Sequence, residues 1–167
     1  PFDHYPVWRE GLPQAAELLS GPGAFGENLS STGLTEQEVC VGDVFALGTA
    51  RLQVSQARQP CWKLGCRFGD PAMPRLVQDS GRTGWYYRVL DPGVAAAGDR
   101  LILRDRPNPD WTLARVLHVL YHDCLNRPAL AAIAGLEDLA VGWRRLAQRR
   151  LDSMTVEDWG ARLLGSG

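Results

Sequence analysis

The sequence predicts a mainly β, α+β fold: a small β-barrel in the middle of the chain, flanked by helices, with a helical subdomain at the C-terminal end. Three observations predict it. The middle of the chain alternates apolar and polar residues between glycine and proline turns, the pattern of short strands with one buried face. After Pro107-Asn108-Pro109-Asp110 the apolar period lengthens to that of a helix. The chain has 167 residues, 45% hydrophobic and 22% charged, an ordinary globular composition. A chain of this length buries enough surface to fold without a metal or disulfide staple.

Residues 1–23 read as a helical lead-in. Pro13 opens a second helical piece at its first turn, Ala15, Ala16, Leu18 and Leu19 supply apolar positions, and Ser20-Gly21-Pro22-Gly23 stops it. Residues 24–110 read as the β core. Gly48 separates Val39–Leu47 from Thr49–Ser55, where Leu52 and Val54 alternate with Arg51, Gln53 and Ser55. Gly84–Leu90 and Asp99–Arg104 are further strands, with Asp91-Pro92-Gly93 as a turn between them. Such short strands suit a barrel or sandwich better than a βαβ sheet. Roughly four or five strands are too few to close a barrel. An incomplete barrel, and a natural protein with a further N-terminal segment, are therefore expected.

Residues 111–167 read as a helical extension. Leu113, Val116, Leu117, Leu120 and Cys124 share one helix face. Pro128 and Gly135 bound a second helix, and Leu136, Leu139, Ala140, Trp143 and Leu146 mark a third. Arg144, Arg145, Arg149 and Arg150 suit its C-terminal end as solvated cations. Thr155-Val156-Glu157-Asp158 resembles a capping box for a last short helix.

Several functions are set aside. With 18 basic and 19 acidic residues the chain lacks the overall basic surface that binds a nucleic-acid polymer. No apolar run approaches about 18 residues, so no membrane span is expected. Pro1–Tyr5 has no secretory pattern, and Cys40, Cys61, Cys66 and Cys124 are too few for a disulfide scaffold, so reduced thiols and a cytoplasmic location are expected. Phosphate-cradling glycine loops and a nucleophile elbow are missing. His118 and His122 stand one turn apart, but Val119 occupies the place of the glutamate in a zinc-protease helix. A solvated pair is the expected reading.

One segment carries chemistry: Ser55-Gln56-Ala57-Arg58-Gln59-Pro60-Cys61-Trp62-Lys63-Leu64. Its thiol follows a strand, with Arg58 three residues before and Lys63, the only lysine, two after. Neighbouring cations favour a thiolate, which is both a nucleophile and a soft-metal ligand. A cysteine packed under a loop is the other reading of the same residues.

Together with Gly23-Ala24-Phe25-Gly26-Glu27-Asn28-Leu29, Val41-Gly42-Asp43 and Thr83-Gly84-Trp85-Tyr86, this segment resembles the MOSC (molybdenum cofactor sulfurase C-terminal) domain family. The likeness is to its bacterial branch with a C-terminal three-helix extension. The resemblance implies a β-barrel holding a molybdenum–pterin cofactor, with Cys61 as metal ligand and catalytic residue. It implies Arg58 and Lys63 on the cofactor's phosphate, Asn28 on the pterin or substrate, and Gln56 and Ser55 in the same cofactor-binding motif. The implied activity is reduction of N-hydroxylated base analogues of the hydroxylaminopurine type to amines, with electrons from a flavin-containing reductase. A non-catalytic carrier of the cofactor, or of sulfur through Cys61, is the alternative, and a homodimer is left open as the assembly. Family members carry a preceding stretch with a His-Gly-Gly type motif, and this chain starts after it.

Overall fold

The computed structural model describes residues 1–165. It contains two compact units, each assembled from separate stretches of chain. The first comprises residues 1–35, 59–84 and 158–165; the second comprises 36–58 and 85–157.

The first unit is helical. A 3-10 turn at Phe2–His4 leads into α1 (Tyr5–Gly11), and two further 3-10 turns follow at Pro13–Ala15 and Leu18–Ser20. The expected second helical piece thus stays at single turns. Leu12, before Pro13, is forced out of the helical region (φ −133°, ψ 65°), because a proline ring crowds the residue ahead of it. Two helices lie where the β core was expected: α2 (Lys63–Phe68) and α3 (Met73–Ser80). Each ends on a glycine in the left-handed region, Gly69 and Gly81. Their buried faces, Leu64 with Phe68 and Met73 with Val77, join Tyr5, Trp8 and Leu19 in one apolar cluster around Phe25. The last element, α7 (Gly160–Leu164), returns to this unit.

The second unit is built on an antiparallel sheet of β1 (Val44–Leu47), β2 (Ala50–Ala57), β3 (Trp85–Asp91) and β4 (Ile102–Asp105), in the order β3-β2-β1-β4. The expected hairpin forms with Leu47 opposite Ala50 and Gly48 in the turn at φ +56°. A side chain at Gly48 would meet the Val94 carbonyl oxygen at 2.1 Å, so the turn needs glycine twice over. The barrel expected from the sequence is corrected to an open sheet. Four strands cannot curl far enough to join their edges, and among the described residues β3 and β4 each pair on one side only. Val89 and Ile102 on those outer strands are exposed.

The stretch read as one long strand from Val39 also breaks. Val41 and Gly42 form a turn, and Cys40 makes only an isolated bridge to Thr112. Asp43 causes the break. Fully buried, it accepts the Cys40 amide at 2.9 Å and a two-pronged pair from Arg106 at 2.8 and 2.7 Å.

Three helices follow: α4 (Leu113–Tyr121), α5 (Arg127–Gly135) and α6 (Val141–Ser153). The Thr112 side chain caps α4 through the Arg115 amide, and Asn126 caps α5 through the Ala129 amide. α5 packs on α6, and α4 touches β2. Two expectations fail here. Arg150 is not solvated: it is 1% exposed, pairs with Glu157 at 2.7 Å and donates to the Leu120 carbonyl. The capping box at Thr155 does not form. Met154 in the left-handed region ends α6, the Thr155 hydroxyl contacts Ser153, and α7 starts five residues later.

Candidate functional site

The second unit carries three of the six residues singled out from the sequence. The β2–β3 register shifts between Val54 and Gln56, which leaves Ser55 as the extra residue of a bulge. The Ser55 hydroxyl donates to the Tyr86 carbonyl at 3.0 Å, and its own carbonyl accepts the Ala140 amide at 2.8 Å. Ser55 thus ties the sheet to the segment before α6, and its hydroxyl has only acceptor capacity left. Gln56 stands opposite Tyr86 and is half-buried. Arg58 follows the end of β2, also half-buried.

The first unit carries the other three. Cys61 is half-buried and precedes Trp62, the residue that opens α2; its carbonyl accepts the Leu64 amide at 2.9 Å. Lys63 is the first residue of α2 and exposed, with its ammonium 6.0 Å from the centre of the Trp62 ring. Asn28 is exposed on the loop of residues 23–29.

That loop is held from inside. Glu27 accepts the Tyr5 hydroxyl, the Gly23 amide at 2.6 Å and the Phe25 amide at 3.1 Å. Arg67 on α2 donates to the carbonyls of Gly23 and Ala24. Burial alone would raise the Glu27 carboxyl; the hydrogen bonds from Tyr5 and the loop amides win and hold it below its ordinary range. The same contact pushes Tyr5 up to about 12, by burial first and by the Glu27 carboxylate second. Glu27 and Arg67 are the residues that sequence reasoning left without a role. Glu27 sat in a quoted motif, but its partner Tyr5 is 22 positions away, and Arg67 reaches the Ala24 and Gly23 carbonyls of the same loop from 43 and 44 positions away.

The four thiols separate by environment. Cys40 is buried and its thiol is pushed up, by burial and then by the Asp43 charge. Cys124 is pushed up by burial as well, and donates to the Leu120 carbonyl at 3.2 Å. Both are poor thiolates. Cys66 is exposed on α2. Among the described residues no group of three or more histidine, cysteine or carboxylate side chains could hold a metal ion by itself. His118 and His122 are exposed and stacked at 5.6 Å without a third ligand. This donor set fits a metal that arrives with its own organic ligand and needs one protein thiolate. Among the described residues no helix is long and apolar enough to cross a membrane.

An α+β unit with an open antiparallel sheet, a Cys61 loop beyond β2 and a three-helix extension defines the class. Residues 1–102 match the MOSC domain family, and residues 111–153 match the YiiM-like 3-alpha helix domain. The chain belongs to the MOSC family, in the bacterial branch that carries the C-terminal helices. It is 38% identical over 165 residues to Protein YiiM of Escherichia coli, covering 99% of this chain and 73% of that protein. The crystal structure of that YiiM superposes with a TM-score of 0.93, covering 99% of this chain and 81% of the other. A Gibberella moniliformis protein named Reductase is 41% identical over 119 residues, which is 71% of this chain and 21% of that protein. MOSC domains are associated with molybdenum-cofactor binding.

Proposed function

We propose that this protein is a molybdenum-cofactor-dependent reductase of N-hydroxylated compounds, with hydroxylaminopurine-type bases as the substrate class. One observation carries the reading. Cys61 is a half-buried thiol on the loop between β2 and α2, with Arg58 three residues before it and Lys63 two after. Family membership and the relative named Reductase support the redox assignment.

When bound, the cofactor supplies the electron pair that cleaves the N–O bond, giving amine and water with two protons. The residues of the chain hold and orient it. Cys61 contributes the single thiolate. Arg58 and Lys63 supply charge-assisted donors to the pterin phosphate. Asn28, held out by the Glu27-stapled loop, offers both a donor and an acceptor. Gln56 offers the same pair, and Ser55 an acceptor only. Residues 24–110 form the cofactor-binding core of this proposal and residues 111–153 its three-helix extension. The electron donor is a flavin-containing reductase, the location cytoplasmic, and the assembly, if any, a homodimer.

The test is metal and pterin analysis of the protein purified from a cofactor-producing host, with turnover of a hydroxylamine by an artificial donor. Cys61→Ser is expected to lose molybdenum and activity with an unchanged circular dichroism spectrum, and Cys66→Ser to keep both. The reverse pattern would overturn the choice of thiol. Bound molybdenum without turnover would replace catalysis by cofactor or sulfur carriage.

A further inference from the structure

The residues on either side of Cys61 are held by one and the same side chain and its backbone. The Trp62 amide donates to the Arg162 carbonyl at 2.9 Å. The Arg162 guanidinium donates through Nη1 to the Pro60 carbonyl at 2.5 Å. Its Nη2 donates to Gln78 Oε1, also at 2.5 Å. Gln78 lies on α3 and is fully buried, and its Nε2 makes no hydrogen bond. Among the described residues, the Arg162 guanidinium is the partner seen to orient this amide.

We propose that Arg162 is a positioning residue for Cys61, and that residues 158–165 are a clamp that fixes the Cys61 loop from the far end of the sequence. The proposal rests on Cys61 being the working thiol. Residues 58–61 belong to no helix or strand, and Trp62 gives α2 no side-chain cap. Contacts from distant chain must therefore set the loop. Leu163 is buried, Arg75 of α3 lies 5.8 Å from the centre of the Trp159 ring, and any side chain at Gly165 would meet the Trp62 ring at 3.3 Å. The clamp lies outside both matched domains, which end at residues 102 and 153. Arginine suits the task because a planar fork reaches two acceptors 18 positions apart (78 − 60 = 18), and a lysine ammonium presents no such fork.

Iodoacetamide alkylation of the full chain, resolved by peptide mass spectrometry, tests this with Cys66 as reference. Cys66 sits on α2, five positions beyond Cys61, and is exposed, so it calibrates the reagent, while general loosening of the unit is read from Leu19→Ala. In Arg162→Ala the ratio of Cys61 to Cys66 rates is expected to rise at least about threefold, since a local opening exposes the half-buried thiol alone. Arg162→Lys recovers part of the wild-type ratio, and Leu19→Ala, which loosens the apolar cluster of the same unit away from the clamp, leaves it unchanged. An unchanged ratio in Arg162→Ala overturns the clamp, as does an equal rise of the ratio in Leu19→Ala. If Arg162→Ala fails to fold, hydrogen exchange at the Trp62 amide in Arg162→Lys decides: faster exchange upholds the clamp and unchanged exchange overturns it. The ratio is read without cofactor. A protein that shows the altered ratio but never binds molybdenum keeps the clamp and loses the cofactor reading.

Discussion

Replacing Glu27 by glutamine tests the loop that presents Asn28. The substitution keeps the shape and removes the charge and one acceptor. In the wild type both carboxylate oxygens are used: Oε1 takes the Tyr5 hydroxyl and the Gly23 amide, and Oε2 takes the Phe25 amide. A glutamine keeps one oxygen and turns an NH₂ towards an N–H, so one donor loses its partner and the others lose charge assistance. A hydrogen bond to a charged group contributes roughly 1.5–3 kcal/mol. Glu27 is only half-buried, so water screens part of this and about 1–2 kcal/mol is the expected loss. For a chain of this size that lowers the thermal midpoint by about 2–8 °C. The pH dependence is the sharper test. The folded carboxyl sits below its ordinary value of 4.5, so its contribution is full above that value and is lost as pH falls through the lowered one. Wild type and Glu27→Gln should differ at pH 7 and converge in acid, because a protonated glutamic acid resembles glutamine. Thermal unfolding followed by circular dichroism from pH 7 to pH 3 reads both. An equal midpoint at pH 7, or a gap that persists undiminished in acid, would refute the staple.

At the other end of the scale, Tyr5 and Tyr87 are both pushed from 10.0 up to about 12, chiefly by burial. Raised folded values mean stability that is complete below pH 10 and falls as pH climbs towards 12, by at most about 1.4 kcal/mol per unit for each tyrosine. A thermal midpoint that stays flat from pH 9 to 11 would contradict this; Tyr5→Phe should make the decline shallower. Arg58→Ala should weaken cofactor retention about tenfold or more, with Arg58→Lys recovering part, as measured by pterin content after gel filtration. Equal pterin content in wild type and Arg58→Ala would remove Arg58 from the site.

The β1–β2 hairpin and the helices α4 to α6 were legible in the sequence, because each is written in local signals. Gly48 marks the turn, the apolar stripe of Leu113, Val116, Leu117, Leu120 and Cys124 marks α4, and Pro128 and Gly135 bound α5. The helices α2 and α3 escaped because they are short, six and eight residues. A single i, i+4 apolar pair in each does not stand out from the strand-like stretches on either side. Asp43 falls inside the stretch Val39–Leu47 that the sequence reads as one strand; only its pairing with Arg106, 63 positions away, explains why the chain breaks there and shortens β1.

Local propensity and period marked the β1–β2 hairpin and the helices α4 to α6, and cation spacing singled out one thiol of four. The tertiary structure decided what distance along the chain hides. It left the sheet open, since edge pairing depends on how many strands meet and how far they curl. It buried Arg150, whose place at a helix end suggested solvent until Glu157 and the Leu120 carbonyl came into reach. It also brought Arg162 to the peptide groups around Cys61, about one hundred positions earlier in the chain. Hydrogen-bond partners that far apart leave no mark on the local period of a sequence, because folding alone brings them within reach.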